Sequence, residues 1–221
     1  MLSVPPQFNR NSAKVTALMP PEQSGRWLLE RMQQHVGFGS YATTRLLDVG
    51  CGVRFSQAII NTQLPIGRYV GVDIDRGLID FLRASVDDER FEYHFVDAYH
   101  PLYNAGGAPL SPSTTLPVGA DFDVISMFSV ITHQTPADSR CIFTMLRRHV
   151  KDEGALFFTC FLDEAIETHE DRSPEKNGGF CFFNRGFLIS LVEGCGWRMV
   201  SSAPGEGPII GDSFVFRPAT A

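Results

Sequence analysis

No stretch of the chain approaches the roughly 18 consecutive apolar residues that a membrane span requires, and no membrane partner is expected. The first residues, MLSVPPQFNRNSAK, carry prolines and polar side chains where a secretory signal needs an apolar centre, so a cytoplasmic protein is expected. Basic residues are in the minority. The formal net charge of -6 argues against a broad cationic face, and with it against a nucleic-acid partner held by counterion release. Cysteine is sparse and unpaired in pattern: five residues, no CxxC and no zinc spacing, with Cys51, Cys160, Cys181 and Cys195 inside apolar stretches. Such residues read as reduced thiols, and neither a disulfide framework nor a metal site is expected. What the sequence does hold is 43% hydrophobic residues over 221 positions, enough for one large domain with its own core.

The apolar residues fall in alternating patterns. Pro20-Pro21 followed by EQSGRWLLERMQQHV places Trp27, Leu28, Met32 and Val36 at helical spacing, a helix expected to cap a sheet. RLLDV (45–49) is a short strand running into a glycine turn, and FSQAIINTQL after it is amphipathic and stops before Pro65. Further strands are expected from Tyr69 to Asp73, over FEYHFV ending at Asp97, from Phe122 over FDVISMF, and over ALFFTCFL after a KDEG turn. Helices are expected from Gly77 to about Val86, around Ser139 to Val150, and over GFLISLVEGCG. The last two strands, WRMVSS and DSFVFRP, should form an antiparallel hairpin. Continuous apolar strands alternating with helices define an α/β fold, a doubly wound and mostly parallel sheet with helices on both faces. The reading is a single domain over 1–221, with an N-terminal helical cap segment at 1–40 and a core at 41–221. Two connections, 99–120 and 163–185, exceed plain turns, the second with a Gly178-Gly179 hinge; loops of that length tend to bind or cover something.

The sharpest motif is LLDVGCG, residues 46–52. Gly50 and Gly52 open a helix at the carboxyl end of the first strand, where such sheets bind ligands and where glycine lets the backbone turn and approach closely. Two cofactor classes use this geometry. The dinucleotide fingerprint needs a third glycine where Phe55 stands, and an acid at position 48 repels a pyrophosphate while suiting the amino group and sulfonium of S-adenosylmethionine (SAM). VGVDID closes the second strand on Asp73, an acceptor for two ribose hydroxyls in either class. FVDAY closes the third on Asp97, which can accept from an adenine amino group, with the Ala98 N–H beside it. Taken singly, each acid is as well explained as a helix cap or turn former.

With these motifs the chain resembles the class I, Rossmann-like SAM-dependent methyltransferases over nearly its whole length: LLDVGCG, VGVDID, FVDA, FDVISMFSVITH and EGALFFTCFL match their successive motifs. The resemblance implies a seven-stranded sheet with an antiparallel last strand and SAM as cofactor. Its implied cofactor contacts are Asp48, Gly50, Cys51 and Gly52 in the turn, Asp73 and Ile74 at the second strand, Asp97 and Ala98 at the third, and Phe128 at the fourth. It also implies a small-molecule methyl acceptor, with oxygen of a sugar or similar metabolite preferred over nitrogen, and a monomer or homodimer. The chain departs from the pattern at Arg54, where the third glycine would stand, and at Glu153-Gly154 in place of a glycine pair. If position 54 needs a left-handed backbone, arginine there is strained: either the turn is reshaped, or Arg54 pairs with an acid such as Asp48, or the cofactor site is weakened and the fold serves as a non-catalytic binding module.

His133, just past the fourth strand, is the candidate general base for a hydroxyl acceptor; it reads equally as a helix cap or a packed side chain. His100 and His169 in the long connections are weaker candidates. Tyr99 and Tyr103 either shape the acceptor pocket or lie on the surface, and Phe180, Phe182 and Phe183 form either a lid or core.

Overall fold

The computed structural model describes residues 1–10, 13–172, 179–207 and 211–220. Its elements are α1 (Ala13–Leu18), α2 (Pro21–Val36), β1 (Arg45–Val49), α3 (Arg54–Asn61), β2 (Arg68–Asp73), α4 (Arg76–Ser85), β3 (Phe91–Phe95), β4 (Phe122–Met127), α5 (Pro136–Leu146), β5 (Val150–Leu162), β6 (His169–Arg172), β7 (Phe180–Phe183), α6 (Arg185–Glu193), β8 (Trp197–Ala203) and β9 (Asp212–Pro218).

The helices begin where the sequence supplies caps. Pro21 opens α2 and Gly37, with φ of 78°, closes it in the left-handed conformation. Asp75, Thr135 and Asn184 each accept a backbone N–H at the start of α4, α5 and α6. Strands β1 to β5 pair in parallel in the order β3-β2-β1-β4-β5, and β9 runs antiparallel between β5 and β8. These seven strands are the expected mostly parallel arrangement with its antiparallel hairpin, but the sheet has nine strands rather than seven, because β7 and β6 extend it from β5. Alternate residues of a strand serve opposite faces: Leu47, Ile125, Leu156 and Phe158 join the layer of α5 and α6, whereas Leu46, Val124 and Phe157 join the layer of α2, α3 and α4. Gly25 lets α2 approach α3, since a Cβ there would lie 2.7 Å from the Arg54 carbonyl oxygen and 2.8 Å from the Ala58 Cβ.

Three expectations need correction. The 163–185 connection is not a plain loop: β6 and β7 within it pair with each other, and β7 adds to the end of β5 at Phe161 and Leu162. The polar composition of HEDR fits an edge strand whose residues are mostly exposed, which is why it reads as loop. Gly178, half of the expected hinge, lies outside the described residues. Phe180, Phe182 and Phe183 are therefore sheet rather than lid, with Phe183 wholly buried. The KDEG turn is absorbed into β5 as a register shift opposite Phe122 and Val124, and helix α1 precedes the cap helix where only a lead-in was expected. Among the described residues no helix is long and apolar enough to cross a membrane.

The chain order reverses between β1 and β4, so a crevice opens at their carboxyl ends. The site lies there.

Candidate functional site

The glycine turn follows β1 directly. Gly50 and Gly52 have φ of 69° and 50°, and the N–H groups of Gly50 and Cys51 both donate to the Val72 carbonyl, at 2.8 and 3.0 Å, fastening the turn to β2. A Cβ on Gly50 would lie 2.5 Å from Val130 Cγ2, while around Gly52 nothing lies within 4 Å of that position. The turn is thus closed on one side and open toward the crevice on the other. Asp73, 2% exposed at the end of β2, accepts from the Gly52 N–H at 3.0 Å and the Asp75 N–H at 3.0 Å. Its carboxylate also meets the Arg10 guanidinium at 3.3 Å, and Arg10 reaches Asp75 at 2.8 Å and covers the Tyr103 ring at 4.2 Å. The N-terminal segment is thereby drawn across the mouth of β2.

Asp48 differs from its expected role. One oxygen accepts from Tyr69 Oη and the other from Ser126 Oγ, both at 2.7 Å, so the side chain ties β1 to β2 and β4 beneath the turn. Burial pushes its pKa up to about 7 despite those two donors. An ammonium group approaching it would share an oxygen already bonded. Asp97 differs more. It is exposed, its Oδ1 accepts from Asn104 Nδ2 at 3.0 Å, and it is absent from the cavity wall, to which its neighbours Val96 and Ala98 contribute. The strand ends at Phe95, so the chain has already turned when it reaches Asp97.

A cavity of about 410 Å³ fills the crevice, within the range of about 300–1,000 Å³ typical of small-molecule sites. Its wall includes Asp48, the glycine turn with Cys51, Asp73, Ile74, Ala98, Phe128 and His133, which is every expected site residue but Asp97. Tyr99, His100 and Tyr103 join them, whereas His169 lies away on β6. Leu110 and Leu116 of the 99–120 connection, Ile142 and Met145 of α5, and Phe8 and Arg10 of the N-terminal segment also line it, and none of these is signalled by a motif. Phe128 stands edge-on to Phe55, with centroids 5.1 Å apart.

Beyond β4 the backbone makes a forced turn. Ser129 has φ of 56°, a left-handed conformation uncommon outside glycine, and its N–H is held by Thr159 Oγ1 at 2.9 Å. A single 3-10 turn, Ile131–His133, follows and carries His133 to the cavity. His133 Nδ1 lies 2.8 Å from the Gly179 carbonyl oxygen. A carbonyl only accepts, so Nδ1 carries the proton and Nε2 keeps a lone pair. Burial holds the imidazole below the ordinary histidine value of about 6.5, against the opposing pull of that hydrogen bond.

Arg54 is the first residue of α3, with its backbone outside the left-handed region that glycine would favour. Burial lowers its pKa to about 10. The expected strain at this position is absent, because the helix starts directly at Arg54.

The reversal of strand order, the open glycine turn and the acid closing β2 define a nucleoside-binding α/β protein of the class I methyltransferase type. A methyltransferase-domain family profile matches residues 7–202, and the chain belongs to that family of SAM-dependent enzymes. Solved structures agree on the fold. The glycopeptide N-methyltransferase MtfA, complexed with S-adenosylhomocysteine, superposes with a TM-score of 0.60 at 11% identity, over 91% of this chain and 90% of that one. The 1,6-didemethyltoxoflavin N1-methyltransferase of Burkholderia thailandensis gives 0.61 at 16%, over 90% and 80%. DesVI of Streptomyces venezuelae gives 0.59 at 13%, over 90% and 92%. The residues present fit a SAM-type donor: the open side of Gly52 admits a ligand against the backbone, and Asp73 supplies a buried acceptor beside it.

Proposed function

We propose that the protein is a small-molecule O-methyltransferase, acting as one domain over its whole length, with Asp73 as ribose acceptor and His133 as general base. The glycine turn and Ile74 would hold the nucleoside, Ala98 would offer its backbone to the base, and Phe128 would back the site. When bound, SAM supplies a methyl group activated by a positively charged sulfur. The protein's own task is then to hold an acceptor in line, exclude water and receive one proton.

The observation that carries the reading is the tautomer of His133. With Nδ1–H donating to Gly179, Nε2 is the ring's only basic atom, and it belongs to a residue on the cavity wall. A neutral imidazole there takes the proton of a hydroxyl as its oxygen attacks. The apolar side chains of Leu110, Leu116, Ile142 and Met145 suit a compact organic body rather than a polymer. The names of MtfA and the toxoflavin enzyme favour a second reading, methylation at nitrogen. Against a non-catalytic binding module stands the helical, unstrained backbone of Arg54.

The test is His133→Asn, which can keep an N–H for the Gly179 carbonyl while removing the base. Methyl transfer from labelled SAM to a panel of hydroxylated and amine metabolites is expected to fall about 10²- to 10⁴-fold in kcat on hydroxyl acceptors, with S-adenosylhomocysteine affinity unchanged. Full activity in the variant would remove His133 from the chemistry, and turnover of amines alone would favour nitrogen.

A further inference from the structure

His100 and His133 reach the cavity wall from different loops, with ring centroids 6.2 Å apart and planes at 84°. Each ring has Nδ1 engaged by main chain, in opposite senses. His133 Nδ1 donates to the Gly179 carbonyl, leaving Nε2 as an acceptor. His100 Nδ1 instead accepts from the Leu102 N–H at 3.2 Å, so in the neutral ring the proton sits on Nε2. Burial, together with His133 and Arg10 nearby, disfavours the charged form of His100, which Asp73 alone favours. One imidazole thus offers a lone pair and the other a proton. At this spacing ring nitrogens come no nearer than about 4 Å, beyond hydrogen-bond reach, so neither ring satisfies the other.

The donor is firmly placed. His100 is 5% exposed and stacks on Tyr103 at 5.0 Å. Its backbone exchanges two hydrogen bonds with Asn104, at 3.1 and 3.0 Å. On the cavity wall its Nε2–H is a fixed donor that a ligand oxygen can take up.

We propose that His100 is a positioning residue that selects acceptors bearing two oxygens on adjacent carbons. The reacting hydroxyl donates to His133 Nε2, and its neighbour accepts from His100 Nε2–H. The inference rests on the reading of His133 as base. If the reacting oxygen itself accepted from His100, one of the lone pairs it needs for attack would be engaged; a neighbouring oxygen leaves them free. An ammonium neighbour has no lone pair to offer, so the same N–H discriminates against amino substituents.

Catechol and phenol, which differ by that one oxygen, are the probes, used on protein saturated with S-adenosylhomocysteine. Long-range proton–nitrogen NMR spectra of the histidines read both tautomers and ligand binding. His100 is expected to be protonated at Nε2 and His133 at Nδ1, with catechol bound roughly tenfold more tightly than phenol, the scale of one hydrogen bond to a buried donor. His100→Gln, whose amide can place an N–H near the Nε2 position, should keep that preference. His100→Asn, which can still accept from Leu102 but reaches less far, should reduce it to under about threefold. Matching tautomers, no catechol preference in the wild type, or a preference that survives in His100→Asn would each overturn the inference. Calorimetry with S-adenosylhomocysteine on the same samples separates the two levels. Binding without catechol preference removes His100 alone, whereas failure of the wild type to bind removes the methyltransferase site beneath it.

Discussion

The two halves of the crevice are assembled in different ways. The side proposed to hold the methyl donor is made of consecutive strand ends: Asp48 in β1, the glycine turn after it and Asp73 closing β2, joined by hydrogen bonds such as Gly52 N–H to Asp73. The side proposed to take the acceptor is gathered from afar, with His100 from one long connection, His133 from a 3-10 turn after a left-handed Ser129, and Gly179, just before β7 of the added hairpin, to orient His133. The first half follows from the order of strands in the sheet. The second depends on loops that only the tertiary structure brings together, which is where variation among enzymes of one fold accumulates.

The difference is sharpest under mutation. Gly50→Ala should do the greatest damage, confined to donor binding and stability. It forces a left-handed alanine, costing about 1–2 kcal/mol, and drives its Cβ to 2.5 Å from Val130 Cγ2. Thermal unfolding and calorimetry should show a lowered Tm and loss of S-adenosylhomocysteine binding; an unchanged affinity would mean that the turn is not part of the donor site.

A pH profile separates the halves without mutation. Burial depresses the pKa of His133, so its basic form persists below the ordinary histidine range and is lost only as pH falls through the shifted value. With the neutral ring as base, kcat should be flat above about pH 6.5 and fall up to about tenfold per unit once pH drops below that shifted value. A fall beginning above neutrality would assign the limb to another group. Asp48, with its pKa pushed up to about 7, is the nearest alternative on the donor side.

Smaller effects test the edges of the comparison. Arg10 engages the carboxylate proposed to hold ribose, so Arg10→Ala should tighten S-adenosylhomocysteine binding by about threefold, the scale of a partly exposed ion pair. Weaker binding would instead make Arg10 part of the ligand cradle. Asp97→Ala should change donor affinity by less than about twofold, because the side chain faces Asn104 and lies off the cavity wall. A tenfold loss would restore the adenine contact read from the motif.

The fold was legible because continuous apolar strands alternate with helical patterns: Pro21 marks the start of α2, and the apolar runs mark the strands of the sheet. The hairpin β6–β7 was not, since HEDR has no apolar alternation and gains its strand character from pairing with FCFF. On the donor side the positions of the motif residues were legible but their bonding was not. Nothing in LLDVGCG tells that Tyr69 and Ser126 occupy both oxygens of Asp48, because those partners come from other strands. Asp97 shows the converse error, a strand-end acid whose chain turns outward two residues too early. Arg10 and Phe8 carry no periodic signal at all; a proline-containing lead-in gives no hint that it crosses the crevice.

The most direct test is calorimetric titration with S-adenosylhomocysteine of the wild type, Asp73→Ala and His133→Asn side by side. Micromolar binding by the wild type, equal binding by His133→Asn and at least about a hundredfold loss in Asp73→Ala, some 3 kcal/mol for buried charge-assisted hydrogen bonds, is the expected result. Unchanged affinity in Asp73→Ala, or loss in His133→Asn as severe as in Asp73→Ala, would contradict the division of the crevice into a donor half and an acceptor half.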